Sequence, residues 1–401
     1  MTARGRLALA LGCATYLGAW AFGSKPLYPV ALGLIAALLL ARLWTRLAGR
    51  PVGVRRRLPQ GERYEGDDVQ VRLEVELEHA LLPATVLVRE RVSKLGERET
   101  AVPSRRGSSY LLKSLPRGRY IFEESAALIE DPFGLDRVEQ PLAAPGALLV
   151  YPRLVELERL FSESGTFARD GRRFLLRRPA GFELHSVREY EQGESLRKVH
   201  WRSTAKRGQL MVKELEDSPR DEVAVVLDAD PAAVVGESFD VQVRAAGSIL
   251  LAHARRGRRA VLVVNSARRQ QQRVHSADGD WRQALDLLAS VEPEPGPPLA
   301  ALFSDEAGAV ARAEALVVVT GSLPAPLADA LIAYAMGHGS ISLVLVETAS
   351  FAPQPRALSA SAFRGLARLQ AAGAAVVVLR RGDDLAAKLG VPATAREAAH
   401  A

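Results

Sequence analysis

The sequence predicts a multidomain membrane protein built from an N-terminal transmembrane helical hairpin, a β-sandwich-like domain and a doubly wound α/β domain. Three observations predict it. Two apolar runs fall within residues 1–48, period-two alternation of apolar and charged residues follows through residues 52–150, and residues 222–380 alternate β-branched runs with Ala- and Leu-rich segments. Between the last two lies a connecting segment, 151–221, carrying a basic motif at 181–214, and the chain closes with a tail, 381–401. At 401 residues and 48% apolar the chain is large enough for several cores.

The hairpin is read from Leu7 to Phe22 and Leu27 to Ala41, separated by the turn-like Gly23, Ser24, Lys25 and Pro26. Each run lies near the short end of what spans a bilayer. Trp20, Tyr28 and Trp44 fall near the run ends, where amphipathic rings prefer to sit. Two arginines precede the first run and six follow the second, so the positive-inside bias puts both ends in the cytoplasm. A second reading of the first run is a cleaved signal peptide ending at Ala19, Trp20 and Ala21. Either way, the expected location is the bacterial inner membrane, multi-pass in the hairpin reading, with the soluble domains inside.

Charge is distributed unevenly. The net charge of +7 resolves into nine bases and no acid in residues 1–57, which leaves −2 for everything after them. The excess basicity thus belongs to the membrane-proximal segment, and elsewhere only a local patch could bind an anion. Cys13 is the one thiol and lies in an apolar run, so there is no intrachain disulfide, no multi-cysteine zinc site and no thiol nucleophile in the soluble part.

In the β-rich region, Val69 to Glu78 alternates apolar with charged residues, as a half-exposed strand does. Ala84 to Val92, Ser109 to Leu115 and Arg119 to Asp131 follow, each bounded by Gly or Pro, and Asp131 to Leu135 (DPFGL) reads as a turn. The α/β region opens with Glu222 to Asp228, an uninterrupted apolar run typical of a strand buried on both faces. Arg259 to Val264, Ala315 to Thr320, Ser340 to Glu347 and Ala374 to Arg380 repeat it, with helices near Ser238 to Ala254, Trp281 to Ser290, Pro324 to Met336 and Ala360 to Ala372. A ligand is expected beyond the carboxyl ends of such strands. Glu292 to Pro298 reads as a stiff surface connection.

The basic motif is a positive island. From Arg169 to Lys213 twelve bases oppose five acids. Ser195 is a fair N-cap and Gly208 a fair C-terminal stop for a helix between them, with Lys206 and Arg207 in its last turn. Such a patch suits an acidic partner, anionic lipid head groups or, least of the three, nucleic acid; the bland alternative is internal salt bridging by Glu183, Glu189, Glu191 and Glu194. No nucleic-acid motif accompanies it. His200 reads as a packing residue more readily than as an acid or base, and His185 lies too far along the chain to complete a zinc site.

Gly181, Glu183, Arg188, Glu189, Tyr190, Gly193, Glu194, Arg197, His200 and Trp201, preceded by the DPFGL turn and by Tyr151 and Pro152, form a pattern that resembles the bacterial domain-of-unknown-function family fifty-eight. The resemblance implies a von Willebrand factor A-like α/β domain and association with MoxR-type AAA+ ATPases and other envelope proteins; it implies no reaction. An A-like domain normally holds magnesium through oxygens after its first and fourth strands. Here Asp228 fills the first position, Asp230 and Ala232 replace two serines, and Thr320, Gly321 and Ser322 stand where a further Asp is usual. The expected metal residues are therefore Asp228, Asp230 and Thr320, in a degraded set for which Mg2+ is the one cofactor suggested. The expected interaction residues are Arg188, Glu189, Tyr190, Gly193, Arg197, His200, Trp201 and Arg202.

Taken together, these readings predict a membrane-tethered, non-enzymatic interaction or assembly factor working with a MoxR-type ATPase. The alternatives are a divalent-metal-dependent binding protein or enzyme, and an anionic-lipid or envelope structural protein.

Overall fold

The computed structural model describes residues 1–48, 50–78, 85–103, 107–143, 145–161, 184–189, 201–215, 222–277, 279–304, 308–337, 340–354 and 359–390. Two units partition the chain at Tyr151 and Pro152.

In the first unit, helix α1 (Ala3–Phe22) starts at Thr2, whose hydroxyl accepts from Gly5 N at 3.1 Å, and ends at Gly23 with φ of 63°. The left-handed backbone there costs a glycine little, and it turns the chain into α2 (Leu27–Leu47). Small residues make the seam. Gly12 and Ala19 are buried on α1, Gly5 on the same helix is buried against Leu135, and Ala31, Leu38, Ala41 and Thr45 are buried on α2. A methyl group on Gly12 would lie 3.3 Å from Leu34 Cβ, so the glycine sets how closely the helices approach. The large side chains face outward, among them Leu7, Leu17, Trp20, Phe22, Leu32, Leu39 and Leu40. Among the described residues, Leu27–Leu47 is the helix long and apolar enough to cross a membrane.

Among the described residues nine strands follow: β1 (Arg50–Arg57), β2 (Arg63–Tyr64), β3 (Val69–Glu78), β4 (Thr85–Val92), β5 (Gly96–Pro103), β6 (Ser108–Leu112), β7 (Gly118–Glu130), β8 (Arg137–Leu142) and β9 (Gly146–Tyr151). One sheet is ordered β1-β3-β6 and the other β2-β9-β7-β4-β5, with β8 also on β7. Alternation does the folding. Val69, Val71 and Leu73 of the small sheet share a core with Val86, Val88, Tyr120, Phe122 and Val150 of the large one. Into this core the Arg56 guanidinium carries its charge: Nε donates to Glu90 Oε1 at 2.8 Å, the plane lies 4.0 Å over the Phe122 ring, and Tyr110 donates to Glu90 Oε2 at 2.7 Å.

The DPFGL turn is more than a reversal between β7 and β8. Asp131 Oδ1 accepts from Phe133 N at 2.9 Å and Oδ2 from Asp136 N at 2.6 Å, and Gly134 takes φ of 64°. So held, the turn clasps the hairpin ends. Thr2 Oγ1 donates to Gly134 O at 2.7 Å, Thr2 N to Leu135 O at 3.2 Å, and Thr45 Oγ1 to Asp136 Oδ2 at 3.1 Å. Ala48 packs on Ile129 of β7.

In the second unit the sheet runs β14-β13-β12-β15-β16-β17, where β12 is Val223–Asp228, β13 Ala260–Asn265, β14 Gln271–Val274, β15 Ala315–Thr320, β16 Ser340–Val346 and β17 Ala375–Leu379. All pairs are parallel except β13 with β14. Odd-numbered residues of β12 (Val223, Val225, Leu227) pack toward α4 (Ser238–Arg255) and α5 (Trp281–Ser290). Ala224 and Val226 pack toward α7 (Ala325–Gly337) and α8 (Ala360–Ala371), with the short α6 (Ala309–Arg312) on the same side. Continuous apolar strands are what two covered faces require.

Two sequence expectations change here. Residues 152–161, read as the start of a connector, belong to the α/β core: Val155 N donates to Ser248 Oγ at 3.0 Å, and Leu157, Leu160 and Phe161 are buried. Residues 381–390, read as tail, carry α9 (Leu385–Leu389), whose Leu385 and Leu389 are buried in that core. The Glu292 to Pro298 segment is the exposed connection the sequence predicts, and Glu294 N donates to Ala229 O at 2.9 Å, laying it across the strand ends.

Candidate functional site

Winding reverses between β12 and β15, since the chain leaves β12 for β13 on one side and returns to β15 on the other. Such a reversal opens a crevice at the carboxyl ends of both strands. Asp228 is the last residue of β12 and Thr320 the last of β15. Thr320 Oγ1 donates to Asp228 Oδ2 at 2.7 Å and accepts from Ser322 N at 3.1 Å. Asp228 Oδ1 accepts from Asp230 N at 3.3 Å and from Asn265 Nδ2 at 3.4 Å, the latter from the end of β13. Burial pushes the Asp228 carboxyl above the usual carboxylate range; these donors oppose the shift, and the nearby Asp230 charge adds to it.

The walls are tightly set. Asn265 Nδ2 also donates to Pro297 O at 3.1 Å, fixing the 292–298 segment over the crevice. Gln242 of α4 donates to Ala233 O at 3.3 Å. A methyl group on Gly321 would fall 2.0 Å from Ala233 O, so only glycine admits this approach of two backbones. Asn265 Oδ1, Gln242 Oε1 and Ser266 Oγ are buried and make no hydrogen bond among the described residues. Each is an acceptor, and leaving one bare in a low-dielectric interior is costly, so the crevice favours a donor or a cation.

Asp228 and Thr320 are thus brought together. Asp230 is not aligned with them: its Oδ1 accepts from Ala232 N at 3.0 Å and caps the 3-10 turn Pro231–Ala233. The three residues fit a divalent cation only in part, because Thr320 directs its hydroxyl hydrogen at Asp228 and Asp230 directs its carboxylate at a backbone amide. Among the described residues no group of three His, Cys, Asp or Glu is placed to hold a metal. Asn265, Ser266 and Gln242 escaped sequence reasoning. A polar pair directly after the apolar run of β13 was the available signal for the first two.

The basic island is described in part. Arg188 and Glu189 lie on β10 (Leu184–Glu189), paired antiparallel with β11 (Met211–Leu215) at Val212 and Met211. Between these strands is α3 (Trp201–Arg207), which includes Arg202 and is closed by Gly208 with φ of 70°. Thr204 Oγ1 accepts from Met211 N at 3.0 Å and ties helix to strand. Trp201 is 67% exposed at the start of the helix, and Lys206 and Arg207 are exposed in its last turn. Tyr190, Gly193, Arg197 and His200, with Gly181, Glu183 and Glu194, lie outside the described residues.

An apolar helical hairpin, a two-sheet β unit and a doubly wound sheet with a polar crevice define a multidomain protein with mixed α/β sheets. Residues 186–352 match the model described as Protein of unknown function DUF58. It is similar to Uncharacterized protein YeaD of Bacillus subtilis (strain 168), with 24% identity over 244 residues, 60% of this chain and 58% of that protein. The chain therefore spans little more than half of that relative. A solved structure, the PKD domain of human VPS10 domain-containing receptor SorCS2, matches at 14% identity over 27% of this chain and 79% of that one. Its TM-score is 0.20.

Proposed function

We propose that the protein is a membrane-anchored, non-enzymatic docking factor whose α3 region and von Willebrand factor A-like domain receive a MoxR-type AAA+ ATPase at the cytoplasmic face. The observation that carries this reading is Trp201, 67% exposed on a short helix with Lys206 and Arg207. An exposed tryptophan among bases is the composition of an interface anchor, where aromatic and charged groups concentrate binding energy. The engagement of Asp228 by its own neighbours supports a binding role over hydrolytic or acyl-transfer chemistry, since the carboxylate faces donors of its own chain. The bilayer location is supported by the seam of small residues and the outward-facing leucines of α1 and α2, an arrangement favoured where the surrounding medium is apolar.

The test is recovery of the tagged full chain from native membranes, with Trp201→Ala and Lys206→Glu/Arg207→Glu as variants. A AAA+ ATPase is expected with the parent chain and at least tenfold less with either variant, at unchanged melting temperature. Equal recovery with the variants would sink the reading.

A second reading is favoured by the buried acceptors Asn265 Oδ1 and Gln242 Oε1 beside Asp228: the crevice binds a divalent cation, with Asp228 and Thr320 as ligands once Thr320 turns its hydrogen away. Calorimetric titration with Mg2+ decides it, for binding must disappear in Asp228→Ala.

A further inference from the structure

We propose that the turn at residues 131–136 is a membrane-interface anchor, with the Phe133 ring seated in the headgroup zone of the bilayer that holds the hairpin. The proposal rests on the membrane reading of that hairpin. Phe133 is 77% exposed at the tip of a turn whose backbone is fixed by both carboxylate oxygens of Asp131. The turn is pinned at both ends of the helical pair, through Thr2 to Gly134 and Leu135 and through Thr45 to Asp136. A methyl group on Gly5 would fall 2.1 Å from Leu135 O, so backbone meets backbone there.

These contacts set the depth. Thr45 lies eight residues from the middle of α2, about 12 Å along the helix axis, and half a hydrocarbon core is about 15 Å. The turn therefore meets the boundary where acyl chains give way to headgroups. Its surroundings fit that boundary: Arg4 lies next to Gly134, Arg6, Arg42 and Arg46 occupy the same helix ends, and residues 1–57 contain no acid. Val138 of β8 adds a second exposed apolar side chain just beyond the turn. Arginines at this level pair with anionic headgroups while an apolar ring reaches between them.

The test is spin-label depth measurement on the full chain in vesicles of phosphatidylcholine and phosphatidylglycerol, in a Cys13→Ala background. Single labels go at Phe133→Cys, at Leu40→Cys on the outer face of α2, and at Glu124→Cys as an aqueous reference. The label at 40 should collide with oxygen and be shielded from a water-soluble nickel chelate. The label at 133 should lie at headgroup depth, shielded from the chelate at least threefold relative to 124. A label at 133 as chelate-accessible as that at 124, with 40 still deep, overturns the anchor and leaves the hairpin standing. Accessibility at all three positions overturns both.

Discussion

Thr320 Oγ1 and Asp228 Oδ2 meet at 2.7 Å, joining the last residues of the two parallel strands between which the winding reverses. The bond locks the crevice to the sheet. Replacing Thr320 by Val removes the donor and leaves a buried carboxylate with one partner fewer, which should cost about 1–3 kcal/mol. Thr320→Ser should retain most of the stability. Chemical denaturation of the detergent-solubilised chain measures both.

A pH dependence follows from the same carboxyl. Burial raises its affinity for the proton in the folded state above that of the unfolded chain. The folded state is therefore favoured while the group is protonated, and this contribution is lost as pH rises from the usual carboxylate range through the raised value. Asp228→Asn should flatten that part of the stability profile, and thermal melts across the acid range read the difference against the parent.

His253 acts in the opposite sense. It is buried on α4, with its pKa pushed down to about 4 by burial and by the charges of Arg258 and Arg256. Its neutral form stabilises the fold above pH about 6.5, and that stability disappears as pH falls toward about 4, for a total of roughly 3 kcal/mol. His253→Leu should abolish this acid sensitivity, as melting curves at pH 7 and pH 4.5 would show.

Gly321 allows the crevice to close. With Ala at this position the added methyl would sit 2.0 Å from Ala233 O, and backbone must move to relieve it. Gly321→Ala should destabilise the α/β unit by roughly 2–4 kcal/mol, at the upper end of single-residue effects. Hydrogen exchange should rise at Asn265 and Thr320 first, with the β unit unaffected.

Arg56 and Glu90 are 4% and 1% exposed in the shared core of the two sheets. Removing one charge strands the other in the interior, so Arg56→Met or Glu90→Gln should each cost about 3–5 kcal/mol. The double variant Arg56→Met/Glu90→Leu should recover much of that loss. A double-mutant cycle by urea denaturation returns the coupling.

Legibility in the sequence followed the physics of each element. β12, β13, β15, β16 and β17 were readable because strands covered on two faces need uninterrupted apolar side chains, and the four long helices between them because one face must be apolar. β14 was not, because QQRV at the antiparallel edge buries only Val274 fully. Residues 152–161 and α9 were missed because their few buried leucines are too short a run to show a period. Asp228 announced itself by ending an apolar strand, whereas Gln242 is a polar residue inside α4 and becomes part of the crevice only when β12 and β15 are in place. The clasp on the hairpin was invisible in DPFGL, since its partners lie 132 and 91 residues away in the chain.

That separation bears on how the protein is made. Thr2 leaves the ribosome long before Leu135, so α1 and α2 must find their surroundings without the turn that later holds them. The early chain is a loosely tethered pair of helices, and the order of synthesis makes closure of the turn a late event that reports completion of β7. A chain halted before Asp131 would keep its hairpin and lack the clasp. Protease protection of residues 1–48 in ribosome-bound chains of increasing length would reveal the step.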